Sequence, residues 1–158
     1  MSMIQISIPN TKTYSFEHLV LDLNGTLSCD GDLIPGVEDQ LIGLSNKINI
    51  HILTADTFGQ GMAQTKDINC FTKILQTNNQ SLEKQDYVIS LDSSKCVCIG
   101  NGYNDHLMVK VAVVGIAVIQ CEGAAVQTIL NADIACPDIK TALDLLIFPK
   151  RLIATLRN

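Results

Sequence analysis

The chain has 158 residues, 47% of them hydrophobic, and its 11 Lys+Arg against 16 Asp+Glu give a formal net charge of −5. This length predicts one domain, 1–158, that folds without a disulfide or structural metal, and the acidic balance argues against nucleic acid as a partner. The longest apolar run, 107–119, is shorter than the roughly 18 residues of a membrane helix, and MSMIQISIPN lacks a signal peptide's basic start, so we expect a cytoplasmic protein without a membrane partner.

The chain begins with alternating apolar and polar residues at 3–8, which predict a strand, followed by a turn at Pro9-Asn10. A second strand is predicted at 18–23. The two strands can pair as an N-terminal β-hairpin extension.

From there on, short β-rich apolar runs alternate with segments of helical period. The predicted strands are 48–53, 71–75, 96–99, 113–119 and 133–136, and the predicted helices are 37–47, 58–68, 81–91, 105–112, 123–131 and 139–146. This alternation is typical of α/β proteins with a parallel central sheet and helices on both faces. Since crossover connections are right-handed, we predict a Rossmann-like three-layer sandwich.

Polar residues follow three of these strands, where parallel sheets bind their ligands. They are Asp22-Leu23-Asn24-Gly25-Thr26, Thr54-Ala55-Asp56 and Gly100-Asn101-Gly102-Tyr103-Asn104-Asp105. Taken singly, each cluster is equally well explained as a turn or a helix cap, and Asp56 is expected to be a cap. Together they predict one polar rim at the carboxyl edge of the sheet.

In their order along the chain, Asp22-Leu-Asn-Gly-Thr-Leu, Thr54, Lys84 and Gly100-Asn-Gly-x-Asn-Asp105 resemble the four motifs of the haloacid dehalogenase (HAD) superfamily. The stretch GNGYNDHLMVKVAVVGIAV is similar to the hinge motif of P-type ATPases and the strand after it. The whole chain, including LIPGV and PKRLIATLR, most resembles small soluble P-type-ATPase-like HAD proteins. The resemblance implies a HAD-like domain, and the intervals between the motifs leave no room for a cap domain.

The same resemblance implies a Mg²⁺-dependent phosphohydrolase that acts through an aspartyl-phosphate on Asp22. Its metal ligands would be the Asp22 carboxylate, the Asn24 backbone carbonyl and Asp105, with Asn101 reaching the ion directly or through water. Such hard oxygen ligands suit Mg²⁺.

The phosphate group would be held by other residues of the motifs. The resemblance implies that the Thr54 hydroxyl bonds a phosphoryl oxygen and that Lys84 neutralises the phosphate, a role that Lys95 fits less well. Backbone N–H groups around Gly25 and Ala55 would complete the cradle. The substrate would be a phosphorylated small molecule or phosphoprotein.

Two amides depart from the superfamily pattern. Asn24 stands where most of its phosphatases have the aspartate that serves as general acid and base, and Asn101 replaces a metal-site aspartate. An amide does not exchange a proton near neutral pH, so we expect a slow phosphatase with a long-lived phosphoenzyme. The alternatives are a catalytically weak phosphate- or nucleotide-binding regulator and a scaffold subunit.

The remaining chemistry-bearing residues predict structural roles. The six cysteines form no C-x-x-C pair and are expected to be reduced, and the three histidines have no partner at helical spacing for a metal site. The leucine-rich 143–156 segment either packs in the core or forms a subunit contact in a homo-oligomer.

Overall fold

A computed structural model describes residues 2–55 and 63–158 of the chain. Parallel strands form its central sheet. The strands are β1 (Ile4–Ser7), β2 (Thr13–Phe16), β3 (His18–Asp22), β4 (Ser28–Cys29), β5 (Asp32–Leu33), β6 (Asn49–Thr54), β7 (Cys70–Ile74), β8 (Cys96–Gly100), β9 (Val114–Val118) and β10 (Ile134–Cys136). Among the described residues, six of them form one sheet in the order β10-β9-β8-β3-β6-β7. Every neighbouring pair in this sheet is parallel, as predicted.

Helices cover both faces of this sheet. They are α1 (Val37–Ser45), α2 (Gln80–Ser90), α3 (His106–Val111), α4 (Val126–Asn131), α5 (Ile139–Ile147) and α6 (Pro149–Leu156). Alternate residues of β3 belong to different core clusters: Leu21 packs in the one that contains Leu143 of α5, and Val20 in the one that contains Val88 of α2. The predicted three-layer sandwich is confirmed.

The N-terminal hairpin forms with a different partner from the one expected. β1 pairs with β2, where Ile4 lies opposite Phe16, and not with the strand at 18–23. The reason is that Leu19, Val20 and Leu21 are fully buried, and β3 has β8 on one side and β6 on the other. Its backbone therefore has no free edge to offer β1.

The C-terminal segment contributes to the core. Leu143, Leu146 and Leu152 are buried, which is the first of the two alternatives for 143–156. The sequence reading did not assign α6, which starts at Pro149, a position where a helix tolerates the missing N–H.

The predicted helix at 58–68 and the capping role of Asp56 lie wholly or partly outside the described residues. Across ranges 2–55 and 63–158, we find no helix with the length and apolar character that crossing a membrane requires.

A short hairpin made of β4 and β5 follows the central strand, and we call it the 28–33 hairpin. Its two turn residues, Asp30 and Gly31, both have positive φ angles (52° and 89°), as the Asp-Gly pair favours. Cys29 in this hairpin forms a disulfide with Cys121, which lies after β9. The expectation that all six cysteines are reduced is therefore wrong for this pair, whose 92-residue separation gives no sequence signal.

Candidate active site

The polar residues that follow β3, β6 and β8 come together because these three strands are neighbours in the sheet. Asp22 at the end of β3 lies opposite Leu53 in β6, the residue before Thr54. On the other side, Leu21 pairs with Ile99, so Gly100 and Asn101 follow at the same edge. The carboxyl edge of the sheet thus carries the predicted polar rim.

The loop after Asp22 is held as a tight turn. The Leu27 N–H donates to the Leu23 carbonyl oxygen at 2.9 Å. This turn points the buried Thr26 side chain back to the strand, and its hydroxyl lies 3.1 Å from both Asp22 Oδ2 and Asn101 Oδ1. Thr26 therefore links the end of β3 to the end of β8.

Gly25 makes room for this link. Its φ is +80°, and a Cβ built there would lie 2.5 Å from Asn101 Nδ2, so a side chain would push Asn101 away. Its N–H donates to the Ser28 carbonyl oxygen at 3.0 Å. The Gly25 N–H is thus engaged within the protein, and a phosphate cradle of backbone N–H groups around Gly25 and Ala55 stays a prediction.

Lys84 joins the two acidic side chains of the rim. Its Nζ lies 2.7 Å from Asp22 Oδ1 and 2.6 Å from Asp105 Oδ1, and its side chain is fully buried. It is brought there by α2, whose first turn is capped by the Asn79 side chain. Lys95, by contrast, pairs with Glu17 at the surface.

The Asp105 carboxylate is fixed by the backbone of its own loop. Its Oδ2 accepts hydrogen bonds from the Asn101 N–H (3.0 Å) and the Gly102 N–H (2.9 Å). The loop passes so close to Gly100 that a Cβ there would lie 2.5 Å from Asp105 Cγ. Asp105 therefore has one oxygen held by the loop and one by Lys84.

The charges of this buried cluster do not balance. Two carboxylates share one ammonium group, which leaves one net negative charge when all three are ionised. Burial, and next the charge of Asp105, raise the pKa of Asp22 from 3.8 to about 7, although Lys84 and Thr26 lower it. Burial by itself would lower the pKa of Lys84, but the two carboxylates raise it above its ordinary value.

The donor set fits a hard divalent cation. Asp22, Asp105 and the Asn101 side-chain amide supply oxygen atoms, and the uncompensated negative charge favours a cation there. Two carboxylates take part here, and the described residues contain no cluster of three or more Asp, Glu, His or Cys side chains that could hold a metal ion. Mg²⁺ suits such a site because it keeps several water ligands.

The other expected site residues lie at the mouth of the cluster or beside it. Thr54 is buried at the end of β6, and the Leu75 N–H donates to its carbonyl oxygen at 2.9 Å. Asn24 and Ala55 are exposed. Of the buried cluster, Asp22 (6% exposed) and Asn101 (7%) reach solvent, so a ligand approaches from their side.

The structure gives a role to two further residues: Thr26, which the sequence analysis names in the first polar cluster without a role, and Gln120, which it does not name. The Gln120 Nε2 donates to the carbonyl oxygens of Gly25 (2.9 Å) and Thr26 (2.6 Å), while its Oε1 accepts from the Ile139 N–H. A signal for Gln120 was present, because it is the first polar residue after the predicted strand 113–119. The same strand-end rule that selected Asp22 could have found it.

The histidines are spread over two separate places. His18 Nδ1 lies 3.0 Å from His51 Nε2, and His51 Nδ1 lies 2.8 Å from the Tyr87 hydroxyl. His106 bonds the Tyr103 carbonyl oxygen instead. The pair of His18, the first residue of β3, and His51, the third residue of β6, links these two strands away from the carboxyl edge.

Comparison with known proteins gives a close relative without an assigned role. No protein-family model matches the chain. The uncharacterized protein MJ0073 of Methanocaldococcus jannaschii is 52% identical over 66 residues, which cover 42% of this chain and 71% of that protein. The two proteins therefore belong to one family.

Solved structures of other proteins share the fold over most of this chain. The 3-deoxy-D-manno-octulosonate 8-phosphate phosphatase of Moraxella catarrhalis, crystallised with magnesium ion, phosphate ion and KDO, has a TM-score of 0.65 at 20% identity and covers 90% of this chain and 94% of its own. A zinc-transporting PIB-type ATPase in the E2.Pi state has a TM-score of 0.60 at 23% identity, covering 78% of this chain but 20% of that one. The fold predicted from the motifs is confirmed by these similarities.

Proposed function

We propose that this chain is a member of the haloacid dehalogenase superfamily, whose fold it shares, and a Mg²⁺-dependent phosphohydrolase that forms an aspartyl-phosphate on Asp22. The observation that carries the proposal is the buried Lys84 ammonium, which lies 2.7 Å from Asp22 and 2.6 Å from Asp105. Neighbours of this fold include a phosphatase crystallised with magnesium and phosphate, which supports the same chemistry.

In the first half of the reaction, an Asp22 oxygen attacks the phosphorus atom, and the bond from phosphorus to the leaving oxygen breaks. Lys84 lowers the pKa of Asp22 against the effect of burial, which favours the ionised form for this attack, and it faces the incoming phosphate with a positive charge. The Thr54 hydroxyl and the Ala55 N–H would hold phosphoryl oxygens. The leaving alcohol takes its proton from solvent, because Asn24 has none to give.

In the second half, water attacks the phosphorus atom of the aspartyl-phosphate, inorganic phosphate leaves and the Asp22 carboxylate is regenerated. Mg²⁺, held by Asp22, Asp105, Asn101 and the Asn24 carbonyl, would supply charge compensation between carboxylate and phosphate. Asn24, which is exposed beside the site, can orient the water but cannot accept its proton. The second half-reaction should therefore be slow.

The experiment that tests this proposal measures turnover of an aryl phosphate with Mg²⁺ and with a chelator. We expect activity that needs Mg²⁺ and is abolished in Asp22→Asn. The control is Asp30→Asn, an exposed carboxylate in the 28–33 hairpin whose positive φ an asparagine tolerates. Activity that survives in Asp22→Asn would contradict the proposal.

A second function, a phosphate-binding regulator, is favoured by one observation: amides stand at positions 24 and 101. Beryllium fluoride with Mg²⁺ mimics a phosphorylated carboxylate and should form a stable complex that depends on Asp22 in either case. Complex formation without measurable turnover would favour the regulator, and no complex at all would favour a scaffold. A cytoplasmic location and a homo-oligomer remain part of the proposal, the latter tested by light scattering.

A further inference from the structure

We propose that the Cys29–Cys121 disulfide is a thiol-controlled tether that holds the 28–33 hairpin against the loop 22–26, beside the exposed Asn24, and that reducing it widens access to Asp22. The access part of this inference rests on the proposed function. The tether itself does not, because it concerns the mobility of the hairpin.

Both ends of the disulfide adjoin the loop that carries the phosphoryl acceptor. Cys29 follows Ser28, whose carbonyl oxygen accepts from the Gly25 N–H at 3.0 Å. Cys121 follows Gln120, whose amide donates to the Gly25 carbonyl oxygen at 2.9 Å. The covalent bond therefore closes a ring around the loop 22–26, with the hairpin on one side and the segment after β9 on the other.

Apart from this bond, the hairpin is held at its base, where Ser28 is buried and donates to the Leu23 carbonyl oxygen at 3.2 Å and Leu33 packs against the core. Few contacts hold its tip. Its two strands have two residues each and pair only as Ser28 with Leu33 and Cys29 with Asp32. Among the described residues, the side-chain hydrogen bonds to residues 29–33 come from Gln64, which bonds the Leu33 N–H and the Asp32 carboxylate. A two-stranded hairpin of this size is not stable by itself, so breaking the disulfide should release it.

The disulfide is within reach of a reductant. Cys121 is exposed and Cys29 is half-buried, whereas Cys96, Cys98 and Cys136 are buried. Accessible disulfides exchange with thiols, while buried thiols stay inert. The Cys29–Cys121 pair is thus the one that a redox change in solution would alter.

The chemistry is a two-electron exchange with a dithiol. A thiolate of the dithiol attacks the Cys121 sulfur, the sulfur–sulfur bond breaks, and Cys29 leaves as a thiolate that takes up a proton. The second thiol of the reductant then attacks the mixed disulfide, which releases the Cys121 thiol. The protein gains two thiols, and the dithiol is oxidised to its own disulfide.

The experiment compares the full-length protein before and after dithiothreitol treatment, well below its unfolding temperature. Thiol titration of the denatured protein first establishes the two states, with the four free cysteines reactive in one and all six in the other. Hydrogen exchange at residues 28–33 and turnover of an aryl phosphate are then measured. We expect exchange to rise by about tenfold or more on reduction, and kcat/KM to rise by about threefold or more.

Cys29→Ser and Cys121→Ser should both behave like the reduced protein whether or not dithiothreitol is present. Cys70→Ser, which removes a free and half-buried thiol, is the control and should keep the redox response. Unchanged exchange at 28–33 would overturn the tether, and a rise in exchange with constant kcat/KM would overturn its effect on access. Redox-dependent exchange in a protein that turns over no phosphate would support the tether and count against the proposed function instead.

Discussion

At the scale of single residues, the site combines groups that are costly to bury. Asp22 and Asp105 lie on the same buried ammonium, so part of their repulsion is uncompensated until a cation binds. Such an arrangement trades stability of the fold for readiness to bind positive charge. Two predictions follow from the chemistry of Asp22 and of its exposed neighbour Asn24.

Asp22→Asn should make the metal-free protein more stable at pH 8. The pKa of Asp22 is raised from 3.8 to about 7, so the folded protein holds the carboxyl proton more tightly than the unfolded chain does. The stability that this protonated carboxyl contributes is lost as the pH rises from 3.8 to 7. Removing the charge should increase the free energy of unfolding by about 1–3 kcal/mol in urea denaturation with a chelator present. Mg²⁺ should then stabilise the wild type but not the variant, and a less stable variant at pH 8 would refute the argument.

Asn24→Asp should speed hydrolysis of the phosphoenzyme. An aspartate at this exposed position can accept the proton of the attacking water, which an amide cannot. We expect an increase of about 10²-fold in the rate of dephosphorylation, measured by rapid mixing with an aryl phosphate. Asn104→Asp, a second amide-to-acid change near the site, is the control. An unchanged or slower rate in Asn24→Asp would show that proton transfer does not limit the reaction.

At the scale of elements, strand β9 and helix α3 approach each other so closely at Gly115 that no side chain fits between their backbones. A Cβ at Gly115 in β9 would lie 2.0 Å from the carbonyl oxygen of Val109 in α3. The obstacle is backbone, so neither element can yield without breaking the packing between α3 and β9. A second link between elements is the cluster of His51 with His18 and Tyr87, which joins β6 to β3 and α2.

Gly115→Ala should therefore destabilise the protein by about 2–4 kcal/mol, because an added methyl group forces the strand and helix apart. The matched control is Gly43→Ala in α1, where a Cβ would meet nothing within 4 Å. That change should stabilise the helix by about 0.5–1 kcal/mol. Urea denaturation of both variants measures the difference, and equal stabilities would contradict the close approach of α3 and β9.

The His51 cluster predicts a loss of stability in acid. Burial, and next the charge of His18, lower the pKa of His51 from 6.5 to about 4. Between these values the unfolded chain takes up a proton that the folded chain refuses, so stability falls as the pH drops from 6.5 to 4, by about 2 kcal/mol. His51→Gln should lose this part of the pH dependence in denaturation curves, whereas His106→Gln should keep it. A parallel pH dependence of wild type and His51→Gln would disprove it.

At the scale of the whole molecule, one covalent link spans most of the chain. The disulfide joins residues 92 positions apart and so restricts the unfolded chain strongly. Reduction should lower the free energy of unfolding by about 2–5 kcal/mol, measured by urea denaturation with and without dithiothreitol. The Cys29→Ser variant should match the reduced protein, and a denaturation midpoint that is the same in both states would exclude a stabilising role.

Much of this architecture could be predicted from local pattern. Parallel strands buried on both faces are continuous apolar runs, which is why 96–99 and 113–119 were assigned correctly as β8 and β9. The rule that parallel sheets bind ligands at the carboxyl ends of their strands likewise predicts, from the sequence alone, that Asp22, Asn101 and Asp105 lie close together. The same rule does not predict side-chain contacts. The hydrogen bonds of the Thr26 hydroxyl to Asp22 and Asn101 depend on how tightly the loop after β3 turns.

Local sequence pattern also does not predict which distant strands or cysteines pair with each other. The partner of β1 depends on which strand keeps an open edge, and the link from Cys29 to Cys121 depends on the path of the whole chain. Helix α6 is not among the predicted helices, although a local signal for it exists: Pro149 is a favoured first residue of a helix.

Gly25 and Gly100, which lie against side chains of the polar rim, also limit which substitutions this protein can accept during evolution. Gly25 and Gly100 each leave a space that Asn101 or Asp105 fills, and any larger residue there would displace that amide or acid. If the proposed chemistry takes place at Asp22, related proteins that share it should keep glycine at both positions. A related protein with a larger residue at either position should therefore lack that chemistry even where it keeps the aspartate of position 22.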